Sequence, residues 1–335
     1  MSEGLNVKVK IDLNRIRRNL QDIRRELNGA KLMLILKADA YGHGLEEVAS
    51  ATADVVDGFG VITMNEAVRI RKISRDTPVL VNMPLADEIE TAVNNNLTIG
   101  VSNDEQLSKI LSLAKADDGF KRSVKIHLKA DSGMHRFGFD AGEIYRVCRA
   151  LKDAGLNADG VYSHFGDHPE TQIGRFEDVC RLVREYFPNA MRHIASTHTF
   201  KKFAFDGVRI GLSGYIGAMS VESEVLASRR VNAGEYIGYG DFTASKPMNI
   251  AVVFGGYADG VPVRLRTVKV GCRECRVINV CMDSTIIDTG KLLLYPRDVV
   301  TILDGNALEK TAKKIKTIPY VLLTTWKGRI NKIYC

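Results

Sequence analysis

The chain has 335 residues, 45% hydrophobic and 26% charged, with a formal net charge of +7. That composition is ordinary globular material, and the length suits a large barrel plus a second domain. It excludes a membrane-spanning helix, since no apolar run is long enough. It also argues against nucleic-acid binding: basic residues are scattered, apart from small clusters at Arg15–Arg18 and Lys310–Lys316.

The N-terminal stretch MSEGLNVKVKIDLNR has no apolar signal-peptide core. Six cysteines without a tight spacing framework fit a reducing cytoplasm. Cys272-x-x-Cys275 stands alone, without the second Cys/His pair that a zinc site needs, and no metal is expected.

In chain order, Asp12–Asn28 reads as an amphipathic helix with Asp12 as its N-cap. Apolar runs then recur near Met33–Leu36, Phe59–Ile62, Pro78–Val81, Leu97–Val101, Val124–Leu128, Gly160–Tyr162, Arg192–Ala195 and Val208–Ile210. Helix-like segments separate them at Leu45–Ala53, Asn65–Lys72, Asp87–Val93, Asp104–Ala116, Ala141–Ala154 and Thr171–Tyr186. Strands alternating with helices in this rhythm predict an α/β fold, a (β/α)8 TIM-type barrel over residues 10–218. An open doubly wound sheet is the competitor, and no G-x-G-x-x-G follows the first strand to support it. Beyond Met219 the pattern changes to short β-branched runs: Val221–Leu226, Asn249–Phe254, Arg276–Val280, Thr285–Asp288 and Val299–Leu303. They predict a mainly-β C-terminal domain over 219–335, with residues 1–9 as candidates to pair with it. Ala307–Ile315 reads as a short helix, and Ile318–Thr325 as a further strand or short helix.

A barrel keeps its active site at the carboxyl ends of its strands. The first strand ends in Lys37-Ala-Asp-Ala-Tyr41-Gly-His-Gly44. A lysine held there among glycines suits a Schiff-base nucleophile, which needs an amine in a fixed, partly dry position. Later strand ends carry Lys129-Ala-Asp-Ser-Gly-Met-His-Arg136-Phe-Gly-Phe, then Tyr162-Ser-His164-Phe, His193-Ile-Ala-Ser196-Thr197 and Arg209-Ile-Gly211-Leu212. The second domain adds Tyr236-Ile-Gly-Tyr239-Gly, Gly256-Tyr257-Ala-Asp-Gly, Cys281-Met282-Asp and Pro319-Tyr320.

These segments, in this order and across nearly the whole chain, resemble the signatures of the alanine racemase family. The resemblance implies a pyridoxal 5'-phosphate (PLP) enzyme working as a head-to-tail homodimer with shared active sites. It makes Lys37 the cofactor lysine and the acid/base group on one face of the substrate, and the partner's Tyr239 the group on the other face. Racemisation needs two such groups, because a proton leaves one face of Cα and returns to the other. A free tyrosine has a pKa of about 10, so Tyr239 needs help, for which the resemblance offers His164 and Arg136. Arg209 takes the place of the partner of the pyridine nitrogen; arginine only donates, which leaves that nitrogen unprotonated and the ring a weaker electron sink. Tyr41, Ser196, Thr197, Gly211, Leu212 and Tyr320 occupy the phosphate positions, and His164 also takes a cofactor-binding place, on or beside the ring. Arg136, Met282 and Tyr257 occupy those around the substrate. Lys129 stands where some members carry a carbamylated lysine, and an unmodified lysine is the other reading.

Two positions depart from the family. Asn279 and Val263 stand where members often carry entryway arginines, which bears on substrate range. The expected activity is interconversion of L- and D-alanine for peptidoglycan. A serine or broad-range racemase is the alternative. A PLP-dependent decarboxylase would place an acidic group where Arg209 stands, and a non-catalytic PLP-binding barrel would lack the second domain.

Overall fold

The computed structural model describes residues 5–240 and 242–335. The chain divides into two compact units: one of Arg17–Ala40 and Gly44–Gly214, the other of Met1–Ile16, Tyr41–His43 and Tyr215–Cys335.

The first unit is a barrel of eight parallel strands: Lys31–Ile35, Gly58–Val61, Val79–Val81, Thr98–Val101, Lys125–Lys129, Gly160–Tyr162, Met191–His193 and Gly207–Ile210. All eight coincide with the apolar runs, because a parallel strand covered on both faces has no reason to alternate. The last strand pairs with the first through Lys31↔Gly207 to Leu34↔Ile210. The ring closes on the other side by Arg209 N donating to Ala195 O at 3.0 Å and Asp206 N to Arg192 O at 3.1 Å. The interior is filled by side chains. A Cβ on Gly160 would lie 2.8 Å from the His127 ring, and one on Gly100 would collide with the Tyr162 hydroxyl. Both positions therefore need glycine so that a large polar residue can lie across the barrel.

Helices follow the strands much as their periodicity predicts, including Leu45–Thr52, Met64–Ile73, Asp104–Ala116, Ala141–Asp153 and Pro169–Tyr186. Their starts are fixed by local chemistry. Thr63 and Asp140 each form a capping box, with Glu66 and Glu143 respectively.

The second unit is an antiparallel sheet. Met248–Phe254, Ser284–Asp288, Arg273–Val280, Thr267–Val270, Val299–Asp304 and Met219–Val231 pair in that order, and Met219–Val231 also pairs back to Met248–Phe254. Val7–Ile11 adds to Met219–Val231, with Ile330–Tyr334 parallel to it on the outside. Val231, Ile237, Ala244, Ile250 and Ile286 form a buried cluster under one end of the sheet. Cys272 lies exposed in a hairpin turn while Cys275 is buried on the strand that follows. Ile318–Thr325 resolves into the helix Pro319–Thr324.

Among the described residues, no helix is long and apolar enough to cross a membrane.

Candidate active site

Lys37 stands just past the first barrel strand, with Leu36 between them, and is half-buried. The chain then does something its residue types do not announce. Ala38, Asp39, Ala40 and Tyr41 all have positive φ, at 54°, 57°, 53° and 53°, forming a turn of left-handed helix. Such geometry costs an L-residue roughly 1–2 kcal/mol, so something must hold it. Ala40 N donates to Leu36 O at 2.8 Å and Gly44 N to Asp39 O at 3.0 Å. The Asp39 carboxylate accepts from Leu45 N at 2.9 Å, and Glu66 accepts from Ala38 N at 2.8 Å. The amine next to this turn has its pKa lowered, first by burial and then by Arg136 and Arg209, with Glu66 pulling the other way.

Arg209 lies buried in the barrel. One guanidinium nitrogen donates to His193 Nδ1 at 2.6 Å and to His193 O at 2.8 Å, and another donates to Ser163 O. A guanidinium has only donors, so His193 Nδ1 must accept. Neutral His193 then carries its proton on Nε2 and donates it to His127 Nδ1, 2.8 Å away. Burial and the Arg209 charge hold His193 well below the usual histidine range and His127 down at about 3. Tyr162 stacks on His193 with the rings 7° from parallel, and Arg209 and Lys129 each lie 5.1 Å from its centroid. Arg209 is thus charged, aimed and unable to turn. Even so, burial draws its pKa down to about 10.

Further basic groups ring this pair. Burial, then Arg209 and Arg136, pulls Lys129 down to about 7. His164 is brought to about 3 by burial, with Arg209, Lys129, Arg136 and Lys37 all acting on it, and is therefore neutral near pH 7. Lys37, Lys129, Arg136, His164 and Arg209 thus share one electrostatic environment. The buried Gln172 steadies the His164 loop by donating to His164 O at 3.2 Å and accepting from Gly166 N at 2.7 Å. Thr197 Oγ1 accepts from Ser213 N at 3.2 Å, which ties the seventh strand end to Gly211 and Leu212; Ser196 instead closes its own turn through Thr199.

Tyr41, Tyr239, Tyr257, Met282 and Tyr320 belong to the second unit. Tyr41 is buried, with its ring 5.2 Å from Tyr215 and 5.7 Å from Tyr320. Burial and Tyr320 raise its pKa, so its hydroxyl stays protonated. Gly42 must be glycine: it has φ 81°, and a Cβ there would strike Leu323 O. Tyr239 is 75% exposed on a tight turn between Gly238 and Gly240. Asn279 holds that turn by donating from its side-chain amide to Tyr239 O at 2.5 Å. Tyr257 and Met282 sit on two loops zipped together by Tyr257 N to Cys281 O at 3.0 Å and Ala258 N to Met282 O at 3.1 Å. Arg329 bonds the carboxylates of both loops, Asp259 and Asp283, each at 2.8 Å. Val263 is exposed.

With this geometry in view, family models decide the relationship. Residues 11–218 match the N-terminal domain of alanine racemase and residues 218–334 its C-terminal domain. The chain belongs to the alanine racemase family. A curated alanine racemase of Streptococcus pyogenes is 29% identical, with 97% of each chain aligned. The solved alanine racemase of Enterococcus faecalis superposes with a TM-score of 0.90 at 27% identity over 100% of both chains. The biosynthetic alanine racemase of Pseudomonas aeruginosa does so with 0.89 at 28% identity over 99% of both. The barrel followed by a strand-rich domain is thus the fold of a racemase, an isomerase. Within this family framework, sequence reading named Tyr162 at its strand end without a role and missed Glu66, His127 and Arg329. Of these only Glu66 had a local signal, as the fourth residue of Thr63-x-x-Glu66.

Proposed function

We propose that this chain interconverts L- and D-alanine with PLP as cofactor, as a homodimer in which each barrel works with Tyr239 of the second subunit. The observation that carries the reading is Lys37, a partly buried amine of lowered pKa on a pinned turn, sharing its environment with an Arg209 locked by His193. The donor set suits PLP. Lys37 offers the amine, Arg209 a fixed donor for the ring nitrogen, and Thr197, Ser196, Gly211 and Leu212 offer hydroxyl and N–H groups for the phosphate, with Tyr41 and Tyr320 assigned to it by their motifs. When bound, PLP supplies an electron-withdrawing ring that makes the Cα proton of an amino acid acidic.

The protein's own groups do the rest. Lys37 Nζ takes or returns the Cα proton on one face, and Tyr239 Oη does so on the other. Arg209, which only donates, would hold the ring nitrogen of PLP unprotonated and so would favour prompt return of the proton over side reactions. Arg136, Tyr257 and Met282 are the groups assigned to the substrate. The curated names of the relatives support alanine as substrate, and with it supply of D-alanine for peptidoglycan in the cytoplasm. A serine or broad-range activity is the second reading, favoured by Asn279, whose amide is committed to Tyr239 O. The test is incubation of the PLP-loaded protein with each L-amino acid, followed by chiral chromatography. D-alanine should form fastest. No D-product from any amino acid would overturn the reading.

A further inference from the structure

In a capping box the third-position carboxylate returns to the backbone N–H of the cap residue. Glu66 does this: its Oε2 accepts from Thr63 N at 3.1 Å and from Ile62 N at 3.0 Å, while Thr63 Oγ1 accepts from Glu66 N at 3.3 Å. The helix needs no more. Yet Oε1 reaches outside the box and accepts from Ala38 N at 2.8 Å. That N–H belongs to the peptide joining Lys37 to the first left-handed residue. The other supports of the turn, the Asp39 carboxylate on Leu45 N and the Arg69–Asp39 ion pair at 3.9 Å, lie beyond it. Around Lys37, Arg136 comes from the loop after the fifth strand and Arg209 from the eighth strand, and both are cations; His164, after the sixth strand, is neutral. Glu66, from the helix after the second strand, is the anion of the set.

We propose that Glu66 is a positioning residue for Lys37, fixing the Lys37–Ala38 peptide through Ala38 N and opposing the charge of the two arginines with that of its carboxylate. This rests on Lys37 being the reactive amine. One carboxylate thereby caps a helix, pins a strained turn and sets how readily the lysine gives up its proton. Removing a nearby anion disfavours the ammonium form, so the Lys37 pKa should fall when Glu66 loses its charge.

The test uses the full chain freed of cofactor. Trace acetylation of Lys37 is followed by peptide mass spectrometry across a pH series, which gives the amine's titration midpoint directly. Glu66→Gln should lower that midpoint by about one unit. Thr63→Ala removes the reciprocal half of the capping box but keeps the Glu66 charge, and should leave the midpoint where it is. An unchanged midpoint in Glu66→Gln, or an equal fall in Thr63→Ala, overturns the proposal. If Glu66→Gln does not fold, Glu66→Asp carries the test, since it keeps the charge and shortens the reach. The Ala38 amide should then exchange hydrogen faster while the Lys37 midpoint stays near that of the unaltered chain. Unchanged Ala38 exchange contradicts the proposal. None of these readouts uses turnover, so failure of the functional reading would show separately, as no PLP captured at Lys37.

Discussion

The barrel mouth and the loops of the second unit hold most of their assigned residues in different physical states, with Arg136 exposed in the first and Tyr41 buried in the second as exceptions. In the barrel, Arg209, His193 and His127 are buried and joined by hydrogen bonds that fix even the histidine tautomers. In the second unit, Tyr239 and Met282 are 75% and 51% exposed, and their backbones are held by hydrogen bonds. Groups that act by charge gain from burial and rigidity, because a dry, fixed charge needs no reorganisation. A tyrosine that must meet a substrate held elsewhere needs only a well-placed backbone, which Gly238, Gly240 and Asn279 provide. The contrast supports the proposed division of labour, with the cofactor assigned to the barrel and the exposed turn to a second copy.

That contrast can be broken in order of expected effect. Lys37→Ala should remove activity altogether and leave a protein that borohydride no longer links to PLP; substantial residual racemisation, or borohydride labelling of a different lysine, contradicts the assignment. Tyr239→Phe removes one oxygen from an exposed residue and should slow racemisation in both directions by roughly 10²–10⁴. Its melting temperature should not change. Exchange of the α-proton with deuterated solvent should be lost for L-alanine and largely kept for D-alanine, since Lys37 remains; equal loss for both isomers would refute the two-base roles.

Smaller effects separate the regions by pH. Asp259 is buried and its pKa is lowered by the Arg329 hydrogen bonds and by N–H groups. A carboxylate of lowered folded pKa contributes stability above its ordinary value of about 4, lost as pH falls through the folded value. Arg329→Ala should therefore lower the melting temperature at neutral pH, with the gap closing below about pH 4. Equal gaps at all pH values would dismiss the ion pair as the cause. In the barrel, His127, His164 and His193 are kept neutral by burial. Their depressed pKa values mean that the unfolded chain binds protons first, so stability is full above the ordinary value of about 6.5 and declines as pH falls below it. Each should contribute a slope of about 1.4 kcal/mol per pH unit between there and its own folded value. His127→Gln should reduce the slope of denaturation free energy against pH by about one proton; an unaltered slope would show that His127 does not titrate on unfolding.

The sequence made the barrel legible because its strands are continuous apolar runs, a signal that survives without alignment. Val7–Ile11 and Ile330–Tyr334 are harder to read, since they pair across most of the chain's length, and Thr267–Val270 is only four residues of a hairpin. Of the site, the candidate reactive positions stand in motifs that can be read locally. Their supports cannot: nothing in Ala38, Asp39 and Ala40 announces a left-handed turn, and only Gly42 and Gly44 hint at one. The His127–His193–Arg209 chain joins three strands distant in sequence, so no local pattern encodes it.

The central claim, that the barrel of one subunit works with the exposed tyrosine of another, is tested most directly by mixing two inactive proteins. Lys37→Ala and Tyr239→Phe should each be nearly inactive alone. After subunit exchange, each mixed dimer contains one site with both Lys37 and Tyr239 intact. Random pairing should then restore about a quarter of the activity of the unaltered protein. No recovery, with exchange demonstrated by mass spectrometry, would place both residues in the site of a single subunit and contradict the account.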